Sequence, residues 1–344
     1  MKHSLSQYPI VPAFQLPSFL LTIDVEDWFQ VENFKTAIPF SSWDAMELRV
    51  ENNTNRLLDL FDGISSDLSH ISCDLSFVEC PPSTGSPSLS PTAQDPDCGP
   101  APRLTDVSPF ATIHATFFVL GWIAERLPGL VREIKHRGHE VASHGYHHHL
   151  CSEQNAEDLR TDLTESKKRL EDIIGAEVSG YRAPSFSVNN DIMTLIEDAG
   201  YGYDASYNSF DRHGRYGKLS TGGFRQKGIA YQISNFFYEL PVSNLYIRNF
   251  VLPWGGGGYF RLMPSMIFNM GIQPVLRKYG AYHFYMHPWE IDSSQPRVDR
   301  VPTFFKFRHY VNLQKTEAKL KKMIRKFRHC RFSTCKEYLD MICN

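Results

Sequence analysis

The stretch 138–149, GHEVASHGYHHH, combines the end of a helix, a short strand and a histidine-rich loop. Gly138 is a typical helix stop, and the β-branched Val141 after it indicates a strand. Loops that follow strands carry the functional residues of many α/β enzymes. His144 and His148 stand four residues apart here, so their imidazoles can bind one divalent cation. The alternative is a polar surface loop that happens to contain histidines.

A second polar cluster follows the short apolar run Leu20–Ile23 near the N-terminus. This run predicts a buried strand, and it leads directly into Asp24, Glu26 and Asp27. Burying carboxylates is costly unless a cation or hydrogen bonds compensate, so three acids here indicate a cation site or a proton-transfer site. The alternative is a helix N-terminus, where acidic side chains favour the helix dipole.

Two further segments carry one candidate residue each. Arg182 lies in GYRAPSF, residues 180–186, and can hold a carboxylate through two hydrogen bonds. His287 follows a predicted strand over 282–286. Each signal is weak alone, because a lone arginine is usually a surface ion pair and a lone histidine at a strand end is usually structural.

Taken in chain order, these segments resemble the polysaccharide deacetylase family, also called the NodB-homology or carbohydrate esterase family 4 domain. HGYHH at 144–148 is similar to that family's metal motif, and RAPSF at 182–186 is similar to its Arg-x-Pro-x-Phe/Tyr motif. The segments 115–119 and 138–144 are similar to it as well.

The resemblance extends to one branch of the family. DVEDW at 24–28 and FRHYVNL at 307–313 are similar to deacetylases found in exopolysaccharide loci, which have an extra C-terminal segment. The similarity covers nearly the whole chain apart from one insert. It implies an α/β fold, a distorted NodB-like (β/α) barrel with about seven strands, and the alternation of predicted strands and helices agrees with this.

The resemblance also implies metal-dependent hydrolysis of N-acetyl groups on amino-sugar residues of a polysaccharide or its precursor. Asp24 corresponds to the catalytic base, Arg182 would keep it ionised and oriented, and His287 would protonate the leaving amine. The implied cofactor is a divalent metal, Zn²⁺ first, with Co²⁺, Ni²⁺ or Mn²⁺ as alternatives.

The implied metal ligands are His144, His148 and one carboxylate. The family's common first motif has two adjacent aspartates, whereas a valine follows Asp24 here. Glu26 is favoured because it lies on the same strand face as Asp24, and Asp27 is the alternative.

Aromatic residues near these motifs are expected to bind the sugar rings, which bury well against aromatic faces. The glycine-rich stretch 254–260 is predicted to be a mobile loop over the cleft, the alternative being an ordinary turn. The expected substrate-binding residues are Tyr181, Pro184, Phe186, Trp254, Tyr259 and Trp289.

The composition is that of an ordinary globular protein, with 344 residues, 42% hydrophobic residues and a net charge of −2. This balance does not indicate a nucleic-acid partner. Seven cysteines without paired metal-type spacing favour a reducing compartment. The N-terminus lacks a secretory pattern, and no run of about 18 apolar residues occurs, so we predict a cytoplasmic protein without a transmembrane segment.

The chain is predicted to contain a barrel, an insert and an extension. Residues 1–63 and 111–305 would form the barrel. Residues 64–110 hold eight of the 21 prolines, which predicts a disordered insert. Residues 306–344 would form a helical extension packed on the barrel. The spacing of Leu313, Leu320, Ile324 and Phe327 predicts an amphipathic helix there, and ten Lys or Arg against one acid in 306–331 make its other face basic. That face would lie in solvent or contact an anionic partner, such as a membrane surface or a lipid-linked precursor.

Two other functions stay open at this stage. One is a carbohydrate-binding relative that keeps the fold without turnover, although the presence of base, acid, ligands and orienting arginine argues against it. The other is a metal-independent amidase that acts on a cyclic amide. Metal analysis separates the amidase from the metal-dependent deacetylase.

Overall fold

The computed structural model of the protein describes residues 16–74, 112–210, 216–248 and 250–343. The strands are β1 (Ser18–Val25), β2 (Thr116–Val119), β3 (Glu140–Ser143), β4 (Gly180–Tyr181), β5 (Tyr203–Asp204), β6 (Arg225–Lys227), β7 (Ala230–Gln232), β8 (Tyr238–Glu239), β9 (Asn244–Ile247), β10 (Phe250–Pro253), β11 (Ala281–Met286) and β12 (Arg331–Ser333). The helices are α1 (Val50–Asp74), α2 (Gly121–Arg126), α3 (Pro128–His136), α4 (Ala156–Ile174), α5 (Asn190–Asp198), α6 (Gly257–Leu262), α7 (Ser265–Tyr279), α8 (Thr303–Tyr310), α9 (Leu313–Lys326) and α10 (Cys335–Cys343).

Seven parallel strands curl into a distorted barrel in the order β11-β1-β2-β3-β4-β5-β8. The segment after β8 closes the barrel, because Val242 N donates to Tyr207 O at 3.0 Å and Ser243 N donates to His283 O in β11 at 3.1 Å. Strand β1 is buried along its whole length, as its apolar run predicts. This architecture confirms the predicted α/β barrel with about seven strands.

Helix α4 shows where local capping signals succeed and where they mislead. The sequence predicts a helix over 152–174 that ends at Gly175, and Gly175 does have the left-handed φ of 63° that ends a helix. The helix begins later than predicted, at Ala156. Asn155 caps it, because its Oδ1 accepts hydrogen bonds from the backbone N–H groups of Glu157 and Asp158. The preceding Cys151–Glu153 forms a separate 3-10 turn.

Helix α1 continues beyond the barrel boundary at residue 63 that composition predicts. Ile64 and Leu68 are buried in the core, and Ile113 N donates to Ser65 Oγ at 3.0 Å. The predicted insert boundary is therefore wrong at its start, because the apolar helical spacing of α1 persists past Phe61. The prediction for residues 75–110 lies outside the described residues.

The C-terminal segment forms part of the barrel wall, which differs from the purely helical extension that the sequence predicts. Strand β12 pairs with Ser18–Leu20 at the start of β1. Strand β2 pairs with β1 further along, from Thr22 onward. The single helix predicted over 306–331 is two helices, α8 and α9, separated at Asn312, whose φ is 55°. Across the described ranges, no helix is both long and apolar enough to span a bilayer.

The glycine-rich stretch 254–260 is closely packed, which corrects the prediction of a mobile loop. Helix α6 begins at Gly257, where a Cβ atom would lie 2.2 Å from Glu290 Oε1. Trp254 stacks on Phe268 and donates from Nε1 to the Phe268 carbonyl at 2.8 Å. The glycines here permit close contact between elements rather than movement.

Candidate metal centre and cleft

The carboxyl ends of four barrel strands bring the principal candidate residues together. Glu26 follows β1, His144 follows β3, Arg182 follows β4 and His287 follows β11. Because these strands are parallel and neighbouring, their carboxyl ends meet at one rim of the barrel. The sequence motifs therefore converge although they lie far apart along the chain.

Glu26, His144 and His148 form a buried triad whose ligand atoms all lie within 4.8 Å of one another. Glu26 Oε1 lies 3.1 Å from His144 Nε2 and 3.0 Å from His148 Nε2. His144 Nδ1 lies 2.7 Å from the Arg182 carbonyl, to which it donates as Nδ1–H, so Nε2 is the ring nitrogen that faces Glu26. Two imidazoles and one carboxylate suit Zn²⁺ or a similar divalent ion.

The charge on Glu26 is preserved despite its burial. Burial raises the pKa of Glu26, but the coulombic effects of His148 and His287, with hydrogen bonds from His144 and His148, hold it well below its ordinary value. A carboxylate binds a cation in its ionised form, and Glu26 lies between the two histidines in that form. These residues therefore fit a divalent metal.

Asp27 points away from the triad and anchors the chain where helix α1 begins. Its carboxylate accepts from the backbone N–H groups of Trp28 at 2.8 Å, Arg49 at 2.6 Å and Val50 at 2.9 Å. Burial raises the pKa of Asp27 to about 6 against the effect of these hydrogen bonds. The geometry therefore favours Glu26 over Asp27 as the carboxylate ligand.

Asp24 is held beside the triad by the fully buried Arg182. Arg182 Nη1 donates to Asp24 Oδ1 at 2.6 Å and to Thr22 Oγ1 at 2.9 Å, and Nε donates to the Ala205 carbonyl at 2.9 Å. The guanidinium also lies over the Phe118 ring, 4.0 Å from its centroid. These contacts leave the arginine one orientation, so Asp24 has one orientation as well.

His283 completes the environment of Arg182, and the sequence reasoning gave it no role. Its Nε2 accepts from Arg182 Nη2 at 2.8 Å, and its Nδ1 lies 3.2 Å from the Pro241 carbonyl, to which it donates. Burial and the adjacent guanidinium hold the pKa of His283 well below its ordinary value, so it remains a neutral acceptor. The sequence signal that could have indicated a role for His283 is its position within the strand predicted over 282–286, where a polar residue is unusual.

His287 is oriented by a buried ion pair that the sequence reasoning also missed. Its Nδ1 lies 2.9 Å from Glu290 Oε1, and Arg261 Nε donates to Glu290 Oε2 at 2.6 Å. Its Nε2 lies 3.6 Å from Glu26 Oε1 and 3.9 Å from Asp24 Oδ2. Burial lowers the pKa of His287, but these three carboxylates outweigh it and raise the pKa to about 9.

The triad opens into a cleft of about 280 Å³ that Asp24 and His287 also line. Phe186 and Trp289 form aromatic walls of it, as predicted. Trp289 stacks on the His287 ring with the centroids 5.1 Å apart. Further lining residues that the sequence did not indicate are Tyr216, Tyr285, Phe304, Phe305 and Arg308.

Four of the expected substrate-binding residues are not among those that line the described cleft. Tyr181 is buried, with its hydroxyl 3.2 Å from Cys151 Sγ. Pro184 is buried in the turn that follows Arg182. Trp254 packs on Phe268 in the core, and Tyr259 lies beside Arg308, whose guanidinium is 5.7 Å from its ring.

The chain is similar to known polysaccharide deacetylases over part of its length. Residues 97–203 match the family model "Polysaccharide deacetylase", and residues 205–340 match "Domain of unknown function (DUF3473)", which is consistent with an extra C-terminal segment. The match over residues 97–203 confirms the resemblance to the polysaccharide deacetylase family that the motifs predict.

Curated relatives are similar over part of the chain. The chain is 30% identical to a peptidoglycan-N-acetylglucosamine deacetylase of Bacillus cereus, over 31% of this chain and 49% of that protein. It is 33% identical to a chitooligosaccharide deacetylase of Sinorhizobium fredii, over 34% of this chain and 55% of that protein. The chain thus spans about half the length of these relatives.

A solved structure from Mycobacterium smegmatis, named provisionally as a polysaccharide deacetylase, is similar over the whole fold. It covers 98% of this chain and 93% of its own, with a TM-score of 0.57 and 17% identity. At this identity the likeness shows the shared fold.

Proposed function

We propose that this protein is a metal-dependent hydrolase that removes N-acetyl groups from amino-sugar residues of a polysaccharide or its precursor. The observation that carries the proposal is the Glu26–His144–His148 triad beside Asp24 and His287 in one cleft. The similarity to deacetylases of N-acetylated saccharides supports it.

The proposed chemistry assigns one task to each residue. Glu26, His144 and His148 would hold a divalent ion, with Zn²⁺ the best match to two imidazoles and a carboxylate. When bound, such an ion polarises a carbonyl and lowers the pKa of water. Asp24 would accept the proton of the attacking water, and the hydrogen bond from Arg182 fixes its orientation.

His287 would donate a proton to the leaving amine, which is otherwise a very poor leaving group. Its Nε2 faces the cleft because Glu290 engages Nδ1, and the neighbouring carboxylates raise the pKa of His287, which favours the protonated form that can donate. Phe186 and Trp289 offer aromatic surface for the sugar ring.

The finer setting is also part of the proposal. The similarity of DVEDW and FRHYVNL to deacetylases of exopolysaccharide loci suggests an exopolysaccharide substrate. A reducing compartment, the cytoplasm, is supported by the free thiols of Cys151, Cys330, Cys335 and Cys343 among the described residues.

Mass spectrometry of N-acetylglucosamine oligomers tests the activity. The protein is stripped with a chelator, and Zn²⁺, Co²⁺, Ni²⁺ or Mn²⁺ is restored. We expect loss of one acetyl mass at a time only after metal is restored. Hydrolysis of a cyclic amide that continues in chelator would favour the metal-independent amidase, and saccharide binding without turnover under every metal would favour the non-catalytic relative.

A further inference from the structure

A second cavity, of about 480 Å³, lies between helix α9 and the turn that joins α6 to α7. Lys315, Lys319 and Lys322 line it from successive turns of one face of α9, and Arg261 lines its inner end. Glu290 pairs with Arg261, but within the described part of the chain no carboxylate lines the cavity itself. The cavity therefore carries uncompensated positive charge.

Lys319 is the most confined of these cations. Its ammonium donates to the carbonyls of Phe260 and Met263 at the end of α6. Burial lowers the pKa of Lys319 to about 8, and no acidic side chain in the described ranges opposes this effect. Burial removes part of the hydration that stabilises the Lys319 ammonium, and the two carbonyls carry no full charge. A bound anion would stabilise the protonated ammonium, so this site favours anion binding.

The outer face of α7 continues directly from one wall of this cavity and is apolar. Met266, Ile267 and Met270 have exposed fractions of 70%, 49% and 59%, and Leu262 at the end of α6 has one of 48%. The sequence of α7, SMIFNMGIQPVLRKY, contains no acidic residue and has two basic ones in its last turn. An exposed apolar face beside a basic cavity is the pattern of an interfacial membrane-binding surface.

We propose that this face, formed by Leu262, Met266, Ile267 and Met270 with the lysine cavity of α9, docks onto a membrane surface containing anionic phospholipids. A headgroup phosphate would enter the cavity, and the four apolar side chains would reach the boundary between headgroups and acyl chains. This interaction goes beyond the proposed hydrolase activity and needs no turnover.

Charge complementarity favours a bilayer over a second copy of this chain. A symmetric dimer through this face would bring two identical lysine cavities together, and like charges would repel. The docking face also adjoins the cleft, because Arg261 lines both the cavity and the cleft. Docking would therefore hold the cleft near the membrane, where the lipid-linked precursor suggested by the basic helix would lie.

Vesicle flotation with the full chain tests the proposal. The vesicles contain phosphatidylcholine alone or with one third phosphatidylglycerol. The variants are Lys315→Gln/Lys322→Gln for the cavity and Met266→Ser/Met270→Ser for the apolar face. The matched control is Arg132→Gln/Lys135→Gln, which removes two exposed charges from α3, a helix packed against α1, α2 and α4.

We expect binding to the anionic vesicles only, weakened by salt, with each test pair reducing it about tenfold and the control leaving it unchanged. Activity on a soluble saccharide should stay the same in all variants, which shows that they fold. Absence of wild-type binding, equal binding to neutral vesicles, or equal binding by the test pairs would overturn the proposal. The proposal would also be overturned if the wild-type protein did not bind vesicles and light scattering showed that the test pairs change the oligomeric state. That result would make the face a contact between copies of the chain.

Discussion

Residues 16–204 supply the metal triad and Asp24, whereas residues 216–343 supply His287, the ion pair behind it and part of the cleft wall. In the first region, Asp24 lies at the end of β1, Glu26 and His144 directly follow β1 and β3, and His148 lies in the loop after His144. In the second region, His287 also follows a strand, but its orientation depends on Glu290 and on Arg261 from a different helix. The metal centre is thus built from local motifs, and the proton donor is built from long-range packing.

The largest effect is expected from removing a triad histidine. His144→Ala or His148→Ala should abolish both bound metal and deacetylation, because two remaining ligands hold a divalent ion poorly. Metal content by elemental analysis and hydrolysis are measured together. His147→Ala is the matched control, since it lies in the same motif outside the triad. Unchanged metal stoichiometry in both triad variants would contradict the assignment.

The three acids at the carboxyl end of β1 should separate into base, ligand and structural anchor. Asp24→Asn should keep metal and lose roughly 10²–10⁴-fold in turnover, because it removes a general base. Glu26→Gln should lose metal. Asp27→Asn should keep both and cost about 1 kcal/mol of stability, because backbone hydrogen bonds at the start of α1 weaken. If Asp27→Asn lost metal while its stability stayed normal, Asp27 would be the ligand and Glu26 would not.

His287→Ala should separate amide from ester substrates. An amine must be protonated as it leaves, whereas a phenolate leaves readily, so deacetylation of an amino sugar should fall by about 10²-fold or more while an activated aryl acetate is still cleaved. Both rates are measured on folded, metal-loaded protein. Equal losses on the two substrates would instead indicate a structural histidine stacked on Trp289.

The variant Glu290→Gln tests whether Glu290 supports His287, and the readout is the pH dependence of kcat. Glu290 is one of the groups that raise the pKa of His287, so its neutralisation should lower that pKa. The proposed mechanism needs protonated His287, so it predicts that the alkaline fall of kcat moves to lower pH. An unmoved alkaline limb, at unchanged metal content, would mean that Glu290 does not influence the acid.

The smallest effect is expected from deleting residues 76–110 and joining the ends with a short Gly/Ser turn. The composition cannot bury enough apolar surface to offset the entropy of ordering, so Tm and hydrolysis should stay unchanged. Ile64→Ala, just inside the boundary, should cost about 2–5 kcal/mol because it leaves a cavity in the core. A large drop in Tm on deletion would show that the segment packs on the barrel.

The sequence by itself determined the barrel, the histidine pair, Arg182 and His287. The histidine pair and His287 each follow a predicted strand, and Arg182 lies in a short motif, so each is encoded within a few neighbouring positions. The resemblance of these motifs to one family implies the barrel. Parallel pairing then brings the strand ends to one rim without further information.

Only the tertiary structure decided which acid joins the triad, where α1 stops contributing to the core, and which aromatic residues face the cleft. Asp27 is drawn away by backbone groups more than twenty positions later, and Trp254 is buried against Phe268 of α7. The pairing of Arg261 with Glu290 likewise joins separate elements. Such contacts depend on how elements pack across the fold, and the spacing of residues along a chain does not specify that packing.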